Sequence, residues 1–312
     1  MSESISFSFI MPAYKARFIH LAIESILNQS YRNFELIIVN DASPENLKAI
    51  VDSYADSRII YKENKTNIGG TDLVANWNHC IQFANNDYII LATDDDTFDS
   101  DFLSEATKII VKYPHSDLFR SGVKKIGEEG QLFDEEFPLK EYLTSREFTL
   151  CWAKGLTISC VSNYIFRKYA LDKIGGFISF PHAHFSDDAT ALAIAEHGVA
   201  NMPGSFMNFR VSTINLSNQG DYRTAINQII ATDQYMGWYL KHVAELDTVP
   251  NDYFEKACYG GCKNKCTGLI EKLSAKIPVS KSHLLFRTIF SLKHLFKNEK
   301  IKLCINYFIN KL

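Results

Sequence analysis

Three consecutive carboxylates, Asp94, Asp95 and Asp96, follow an apolar run that ends at Ala92. Adjacent carboxylates repel one another unless a cation lies among them. A group made only of oxygen ligands suits a hard ion such as Mg2+ or Mn2+. Such an ion could bind a diphosphate without a basic cradle. An acidic turn is also common as a helix cap or a solvated loop, so both interpretations are open for these residues alone.

A second acidic pair, Asp187 and Asp188, directly precedes an alanine-rich stretch from Ala189 to His197 that is predicted to be helical. Either carboxylate could cap the helix that follows. Asp41 follows the apolar run from Phe34 to Asn40 and could be either a capping residue or part of the ligand-binding rim. Glycine-rich phosphate loops are missing from the sequence, which disfavours a dinucleotide or P-loop site.

The elements that must position these acids alternate along the first half of the chain. Apolar or β-branched runs predict the strands Ile5–Met11, Phe34–Asn40, Ser57–Lys62 and Asp87–Ala92. Amphipathic stretches between them predict the helices Phe18–Asn28, Pro44–Ala55 and Thr71–Ala84, the second with Ser43 as its N-cap. This alternation predicts an α/β fold with a mainly parallel sheet and helices on both faces. Ligands of such sheets bind beyond the carboxyl ends of the strands.

The second half is less regular. Strands are predicted within Leu118–Phe137 and at Cys160–Phe166, and a helix at Ser145–Ala153. After about Ser217 the pattern is helical, with candidates at Tyr222–Ala244, Tyr253–Lys272 and Lys281–Leu312. We therefore expect a catalytic domain over residues 1–217 and a helical extension over 218–312.

The basic C-terminal tail stands out in an otherwise acidic chain. The 312 residues carry a net charge of -3, which disfavours a nucleic-acid partner, yet the segment from Lys276 onward has eight basic residues and one acidic residue. From about residue 279 apolar residues recur at helical spacing between these cations. The pattern is typical of an amphipathic helix at an anionic membrane surface, or of a helix packed on the catalytic domain or in a dimer contact.

Targeting and cysteine patterns are unremarkable. No stretch of about 18 apolar residues occurs and the N-terminus does not resemble a signal peptide. We therefore expect a cytoplasmic protein, and any contact with the membrane should be at its inner face. Cys258, Cys262 and Cys266 have helical spacing and no completing ligand pair. They predict one helix face and not a zinc site.

Several motifs together resemble glycosyltransferase family 2. They occur in the family's order between about residues 5 and 215, in the segments Phe9–Tyr14, Gln29–Asp41, Asn67–Gly69, Leu91–Asp96, Gly175–Phe177 and Asp187–Asp188. The resemblance implies a GT-A fold, a nucleotide-sugar donor, a divalent metal (Mn2+ or Mg2+) and inversion at the anomeric carbon.

The resemblance also implies roles for single residues on the donor side. Pro12, Ala13 and Tyr14 would form a loop against the nucleobase and ribose, and Asp41 would hydrogen-bond the base. The wall on the base side would be shaped by Asn67, Gly69 and Asn76.

The acidic clusters match two further motifs of the family. Asp94, Asp95 and Asp96 match its Asp-x-Asp motif, which binds metal and ribose; an alternative register places Thr93 first and makes Asp95 the main metal ligand. Asp188 corresponds to the catalytic base, with Asp187 where relatives carry Glu. The Gln-x-x-Arg-Trp motif of processive synthases is absent from the sequence, which favours transfer of one sugar per encounter.

Three further residues remain open. Arg210 could be a cation for the diphosphate or an ordinary surface arginine, and His182 and His184 could line the acceptor pocket, assist metal binding or be loop histidines. The function that we expect is transfer of one sugar from a nucleoside-diphosphate sugar to a glycan or lipid-linked acceptor in cell-surface polysaccharide synthesis. A UDP-sugar is the donor that the family uses most often. The alternatives are a sugar nucleotidyltransferase and a non-catalytic nucleotide- or carbohydrate-binding protein.

Overall fold

The sheet at the centre of the protein has a parallel part and a mixed part. The computed structural model describes residues 5–215, 220–246 and 252–311. Within them, ten strands form one sheet, in the spatial order β3-β2-β1-β4-β9-β6-β10-β5, with β7 beside β6 and β8 beside β10. The strands are β1 (Phe7–Ala13), β2 (Phe34–Asn40), β3 (Ile59–Glu63), β4 (Tyr88–Leu91), β5 (Thr97–Phe98), β6 (Leu118–Ile126), β7 (Leu132–Glu135), β8 (Tyr142–Leu143), β9 (Tyr164–Arg167) and β10 (Val199–Arg210).

The parallel part positions the predicted rim. Strand β1 pairs in parallel with β2 and with β4, and β2 pairs in parallel with β3. The carboxyl ends of these four strands therefore lie at one edge, as the sequence predicts. Beyond β4, strand β9 pairs antiparallel with both β4 and β6, whereas β6 and β10 pair in parallel. The pattern confirms the α/β fold class and adds a mixed half to the sheet.

Helices cover both faces of the sheet. In the described part of the chain they are α1 (Ile19–Leu27), α2 (Leu47–Asp52), α3 (Leu73–Cys80), α4 (Phe102–Lys112), α5 (Ser145–Ala153), α6 (Lys168–Lys173), α7 (Ser186–Ile194), α8 (Tyr222–Leu246), α9 (Asp252–Ala275), α10 (Ser282–Ser291) and α11 (Lys297–Ile309). The alternation of side chains along β1 supplies both cores, because Phe9 and Met11 pack on the side of α1 and α4 whereas Ile10 packs on the other.

The predicted start of the second helix is wrong by three residues. Helix α2 begins at Leu47, and its N-cap is Asn46, whose side chain accepts a hydrogen bond from the Ala49 N–H at 3.2 Å. The hydroxyl of Ser43 is used elsewhere, since it donates to the carbonyl of Tyr14 at 2.6 Å. Ser43 therefore ties the ends of β1 and β2 together instead of capping a helix.

The C-terminal helices share a core with the first part of the protein. Buried side chains of α8 and α9 join those of α5 and α7 in one continuous cluster. Cys258, Cys262 and Cys266 are fully buried on α9, which agrees with the prediction of a helix face. The boundary expected at residues 217 and 218 lies outside the described residues.

The tail is two helices and not the single one that the sequence predicts. Helix α10 ends at Ser291 and α11 begins at Lys297. The carboxylate of Asp233 on α8 accepts hydrogen bonds from the N–H groups of Lys293 and His294, both at 2.9 Å, and so holds the intervening segment in a non-helical path. None of the described helices is long and apolar enough to cross a membrane.

Candidate active site

The acidic turn after β4 is bonded to the end of β1. Both N–H groups of Tyr14 and Lys15 donate to Oδ2 of Asp94 at 2.8 Å. Two backbone donors fix this carboxylate, so Asp94 joins two neighbouring strand ends. The loop that the sequence predicts against a nucleobase, from Pro12 through Ala13 to Tyr14, therefore lies directly beside the acidic turn, with Tyr14 exposed and Ala13 buried.

Asp96 lies deeper than its neighbours. Its Oδ1 accepts a hydrogen bond from the Arg210 N–H at 2.9 Å, and its Oδ2 accepts one from the Thr93 hydroxyl at 2.7 Å. Both oxygens are thus occupied by protein donors. In the described part of the chain no donor from another strand bonds to the Asp95 carboxylate, and its side-chain hydrogen bond comes from the neighbouring Thr93.

Burial raises the pKa of all three carboxyl groups. The pKa of Asp94 rises to about 6 and that of Asp96 to about 7, in both cases through burial first and then through the charge of Asp95. The pKa of Asp95 is also raised by burial, and the hydrogen bond from Thr93, followed by the charges of Lys15 and Arg210, opposes the rise. A cation among these groups would relieve the repulsion that disfavours their ionised forms.

The donor set fits a divalent ion only as part of a larger shell. No set of three His, Cys, Asp or Glu side chains among the described residues is placed to hold a metal by itself. Asp95, with the remaining oxygen of Asp94, offers hard oxygen ligands. Mg2+ in particular is usually bound by one or two carboxylates together with waters and substrate phosphates. The residues present therefore fit a metal that arrives with a diphosphate.

Asp41 organises the loop on the base side. Its Oδ1 accepts hydrogen bonds from the Asn64 side chain at 2.8 Å and the Ile68 N–H at 2.9 Å, and its Oδ2 accepts one from the Gly69 N–H at 2.7 Å. A Cβ atom at Gly69 would lie 2.9 Å from Asp41 Oδ2 and 3.2 Å from the Asn76 side chain. The turn needs glycine because the loop approaches Asp41 this closely.

The other predicted base-side residues lie on the same loop and the helix after it. Asn67 accepts a hydrogen bond from the Gly70 N–H and so closes the turn. Asn76 is buried on α3, where its Oδ1 lies 3.3 Å from the Asn64 amide. Asp41, Asn67, Gly69 and Asn76 are thus brought together, and their contact with a nucleobase stays a prediction.

Arg210 is buried and bonded to main-chain carbonyls. Its Nε donates to the carbonyl of Asp95 at 2.9 Å, and its Nη1 donates to the carbonyls of Gly127 and Glu128 at 3.1 and 2.8 Å. The guanidinium therefore clamps the acidic turn to the loop between β6 and β7, and Arg210 is not the surface residue that the sequence left open. These bonds support a positioning role, and direct contact with a diphosphate stays a prediction.

Asp188 is held by an indole. Its Oδ1 accepts a hydrogen bond from Trp152 Nε1 at 2.7 Å. Trp152 is buried on α5, between the rings of Tyr235 and Tyr239 on α8, whose centroids lie at 5.0 and 4.7 Å. The Asp188 side chain therefore does not cap α7, and it is oriented by an element that the C-terminal helices pack against.

Asp187 precedes it in the first turn of the same helix. Its Oδ1 accepts a hydrogen bond from the Asp188 N–H at 3.0 Å. Burial and the neighbouring charge of Asp188 raise the pKa of Asp187 to about 7, against a smaller opposing effect of Lys265 on α9. The two acids thus have different partners. Asp187 accepts a hydrogen bond from a backbone N–H in the first turn of α7, and Asp188 accepts one from the indole of Trp152.

The turn before this helix is strained. His182, Ala183 and Phe185 have φ angles of 57°, 55° and 68°, which side-chain-bearing residues rarely adopt. The ring of Phe185 stacks on Tyr235 at 4.4 Å and pins the turn to α8. Strain of this kind persists only where the surroundings enforce it and is common at functional sites.

The two histidines of the turn have different environments. His182 is exposed and lies 3.1 Å from the Asn227 amide on α8. Burial lowers the pKa of His184 to about 4, so this ring is neutral at ordinary pH. Neither ring contacts the acidic turn after β4 in the described structure, and a role for either in the acceptor pocket or in metal binding stays a prediction.

Charges of both acidic clusters act on one thiol, that of Cys160. Burial raises the pKa of Cys160 far above its usual range, and the charges of Asp96, Asp187 and Asp188 raise it further. The adjacent Ser162 hydroxyl lies 3.5 Å from Asp96 Oδ2. Asp96 and the pair Asp187 and Asp188, far apart in sequence, therefore both influence Cys160.

Three residues of the site escaped the sequence analysis. Trp152 and Lys265 lie on helices that show only an amphipathic pattern, and the Lys265 ammonium lies 3.9 Å from the Trp152 ring centroid. Lys15 lies beside Asp94 and donates to the carbonyl of Ile214. For Lys15 a signal existed, since it directly follows the first strand and the exposed Tyr14.

The mainly parallel sheet thus carries an acidic turn at its carboxyl edge, and a second acidic pair lies in the first turn of α7. The model of glycosyl transferase family 2 matches residues 8–175, and the chain belongs to this family. It is 35% identical over 134 residues to the putative glycosyltransferase EpsE of Bacillus subtilis (strain 168), a match that covers 42% of the chain and 47% of EpsE. The chain thus spans about half of that relative.

Other similarities extend further along the chain. The putative teichuronic acid biosynthesis glycosyltransferase TuaG of B. subtilis is 27% identical over 61% of the chain and 72% of TuaG. The crystal structure of S. aureus TarS 1-349 in complex with UDP-GlcNAc superposes with a TM-score of 0.59 at 16% identity, over 98% of this chain and 90% of that one. The mannosyltransferase PcManGT from Pyrobaculum calidifontis, in complex with GDP-Man and Mn2+, gives 0.59 at 15% identity, over 99% and 86%. These likenesses confirm the fold.

Proposed function

We propose that this protein transfers one sugar from a nucleoside-diphosphate sugar to an acceptor hydroxyl with inversion at the anomeric carbon. The observation that carries the proposal is a pair of acidic clusters, each held in place by hydrogen bonds from another element. One cluster is joined to the loop that would hold a nucleotide, and the other presents a carboxylate oriented by an indole. Displacement of a diphosphate by a hydroxyl needs both.

On the donor side, the chain supplies a fixed frame. Asp94 and Asp96 are held by donors from the ends of β1 and β10, so the intervening Asp95 is presented in one place. Asp95, with Asp94, would hold a divalent ion, which when bound supplies Lewis-acid stabilisation of the charge on the leaving diphosphate. Asp41 keeps the loop from Asn64 to Gly69 folded beside the nucleotide.

On the acceptor side, Asp188 is the general base. A sugar hydroxyl is a weak nucleophile, so removal of its proton during attack lowers the barrier. The bond from Trp152 occupies Oδ1 of Asp188 and leaves the other oxygen for the acceptor hydroxyl. Attack from this side, opposite to the diphosphate, inverts the anomeric carbon.

The substrate classes are inferred from relatives. TarS is seen with UDP-GlcNAc and PcManGT with GDP-Man and Mn2+, which supports a nucleotide-sugar donor, a UDP-sugar first, and Mn2+ or Mg2+. TuaG carries teichuronic acid biosynthesis in its name. A glycan or lipid-linked acceptor in cell-surface polysaccharide synthesis is therefore the acceptor class that we propose.

The experiment pairs metal-dependent donor binding with turnover. A panel of nucleotide sugars with Mn2+ is screened by thermal shift, because a ligand of the native state raises its stability. Release of nucleoside diphosphate is then measured for the best donor. Asp95→Asn should lose metal-dependent binding, whereas Asp188→Asn should keep donor affinity and lose roughly 10²- to 10⁴-fold in turnover.

Asp187→Asn is the matched control, because it changes the neighbouring acid and leaves the carboxylate bonded to Trp152. If Asp187→Asn abolishes turnover and Asp188→Asn does not, the base is assigned to the wrong residue. Donor binding without any turnover would indicate a non-catalytic binding protein. Formation of a sugar nucleotide from sugar phosphate and nucleoside triphosphate would indicate a nucleotidyltransferase.

A further inference from the structure

The apolar residues of the C-terminal tail divide into a buried and an exposed set. On α11, Leu303 and Tyr307 are buried, and the Tyr307 hydroxyl donates to the carbonyl of Ile277 at 3.1 Å. The Asn306 amide donates to Glu271 on α9 at 3.1 Å. One side of α11 is therefore anchored to α9 and the segment after it, and the helix is held in a fixed orientation.

The opposite side of α11 is apolar and exposed. Its side chains are Ile301, Ile305, Phe308 and Ile309, which are 42%, 53%, 46% and 61% exposed. Steps of four, three and one residues place all four on one face of a helix. We call these four residues the outer face of α11. Adjacent exposed apolar side chains bordered by polar residues are typical of an interaction site.

The charges around the outer face are positive. Lys297 and Lys302 are exposed and make no ion pair with the described residues. Glu299 is the single acid between residues 276 and 311, and its carboxylate is already paired with Lys263 at 2.9 Å. The outer face is thus bordered by two lysines that make no ion pair with the described residues, and the single acid within residues 276–311 is neutralised by Lys263.

We propose that the outer face of α11 docks the protein on an anionic lipid membrane. An amphipathic helix with an apolar face and flanking lysines lies in the interface plane, its apolar side chains among the acyl chains and its cations at the headgroups. The 13 residues of α11 span only about 20 Å, too short to cross a bilayer of about 30 Å. A second copy of this chain is a poorer occupant, because a symmetric contact would bring the two lysine borders together.

Sedimentation with vesicles tests the proposal on the full chain. We expect the wild type to bind vesicles of phosphatidylcholine mixed with phosphatidylglycerol, and to be released at high ionic strength, where charges are screened within a few ångströms. Vesicles of phosphatidylcholine alone should bind far less. Equal binding to the two kinds of vesicle would overturn the proposal.

Two double variants separate the apolar and charged contributions. Ile305→Ser with Phe308→Ser should weaken binding to anionic vesicles more than tenfold, and Lys297→Gln with Lys302→Gln by about thirtyfold, since each lysine near anionic lipid contributes about fivefold. The matched control is Val111→Ser on α4, an exposed apolar residue of another helix, which should change nothing. Should the serine variant fail to fold, judged by circular dichroism, the lysine variant still decides, because its side chains lie at the surface.

Two further results would overturn the proposal. One is unchanged vesicle binding in the folded serine and glutamine variants. The other is self-association of the wild type, seen by sedimentation velocity and abolished by Ile305→Ser with Phe308→Ser, without vesicle binding. The proposal concerns where the protein is held and does not depend on the transfer chemistry. Donor turnover in solution should therefore be equal in the wild type and in all these variants.

Discussion

The hydrogen bond from Trp152 to Asp188 should set the rate of transfer. Trp152→Phe removes the N–H that lies 2.7 Å from Oδ1 and keeps an aromatic ring between Tyr235 and Tyr239. A hydrogen bond to a charged group contributes about 1.5–3 kcal/mol. If that energy serves to hold the carboxylate toward the acceptor, kcat should fall by roughly 10- to 150-fold.

The loss should appear in kcat and not in the donor KM. Trp152 bonds to Asp188, the proposed base, and not to the acidic turn after β4, so nucleotide-sugar affinity should be unchanged. The fall should also be smaller than that of Asp188→Asn, which removes the base itself. Steady-state kinetics and thermal shift with the donor measure the two quantities.

Tyr239→Phe is the control for packing. The Tyr239 ring lies against Trp152, and its hydroxyl donates to the carbonyl of Thr149 at 2.9 Å without touching Asp188. This variant should lose stability and keep kcat. Wild-type kcat in folded Trp152→Phe, or an equal loss in Tyr239→Phe, would refute the argument that the indole positions the base.

Two other substitutions test the rim and the acidic pair. Gly69→Ala should weaken nucleoside-diphosphate binding roughly tenfold or more, because the new Cβ must displace Asp41. The control is Gly268→Ala on α9, where nothing lies within 4 Å of the new Cβ, and it should be neutral or stabilise the folded protein by about 1 kcal/mol. Isothermal titration calorimetry measures the binding, and urea unfolding measures the stability. The pKa of Asp187, raised to about 7, means that the folded chain keeps a proton which the unfolded chain releases, so this group lowers stability as pH rises from about 4 to 7. Asp187→Asn should therefore stabilise the metal-free protein by on the order of 2–4 kcal/mol more at about pH 8 than at about pH 4 in urea unfolding, and a gain independent of pH would contradict the assignment.

Local patterns predict the parallel half of the fold well. β2 and α5 have the predicted bounds, and the residues after β1, β2 and β4 meet at one edge. Each of these elements has its own periodicity and its own end signals. Family membership and the GT-A fold are likewise confirmed.

The remaining features depend on contacts between distant segments. The break between α10 and α11 contains neither proline nor glycine and is held by Asp233, about 60 residues earlier. The bond from Trp152 to Asp188 spans 36 positions, and no pattern around Trp152 indicates a polar partner. The N-cap of α2 is Asn46 and not the predicted Ser43, because the Ser43 hydroxyl bonds to the end of β1. One amino-acid sequence taken alone does not reveal these contacts.

An aromatic cluster joins three elements, namely α5, α8 and the turn that precedes α7. This cluster limits how chimaeras between this protein and a relative can be built. Trp152, Phe185, Tyr235 and Tyr239 interlock across the chain, and the first of them also touches the proposed base. A chimaera that takes its C-terminal helices from a relative would separate rings that fit only one another. We therefore expect that α5, the turn before α7 and the C-terminal helices can be exchanged only together.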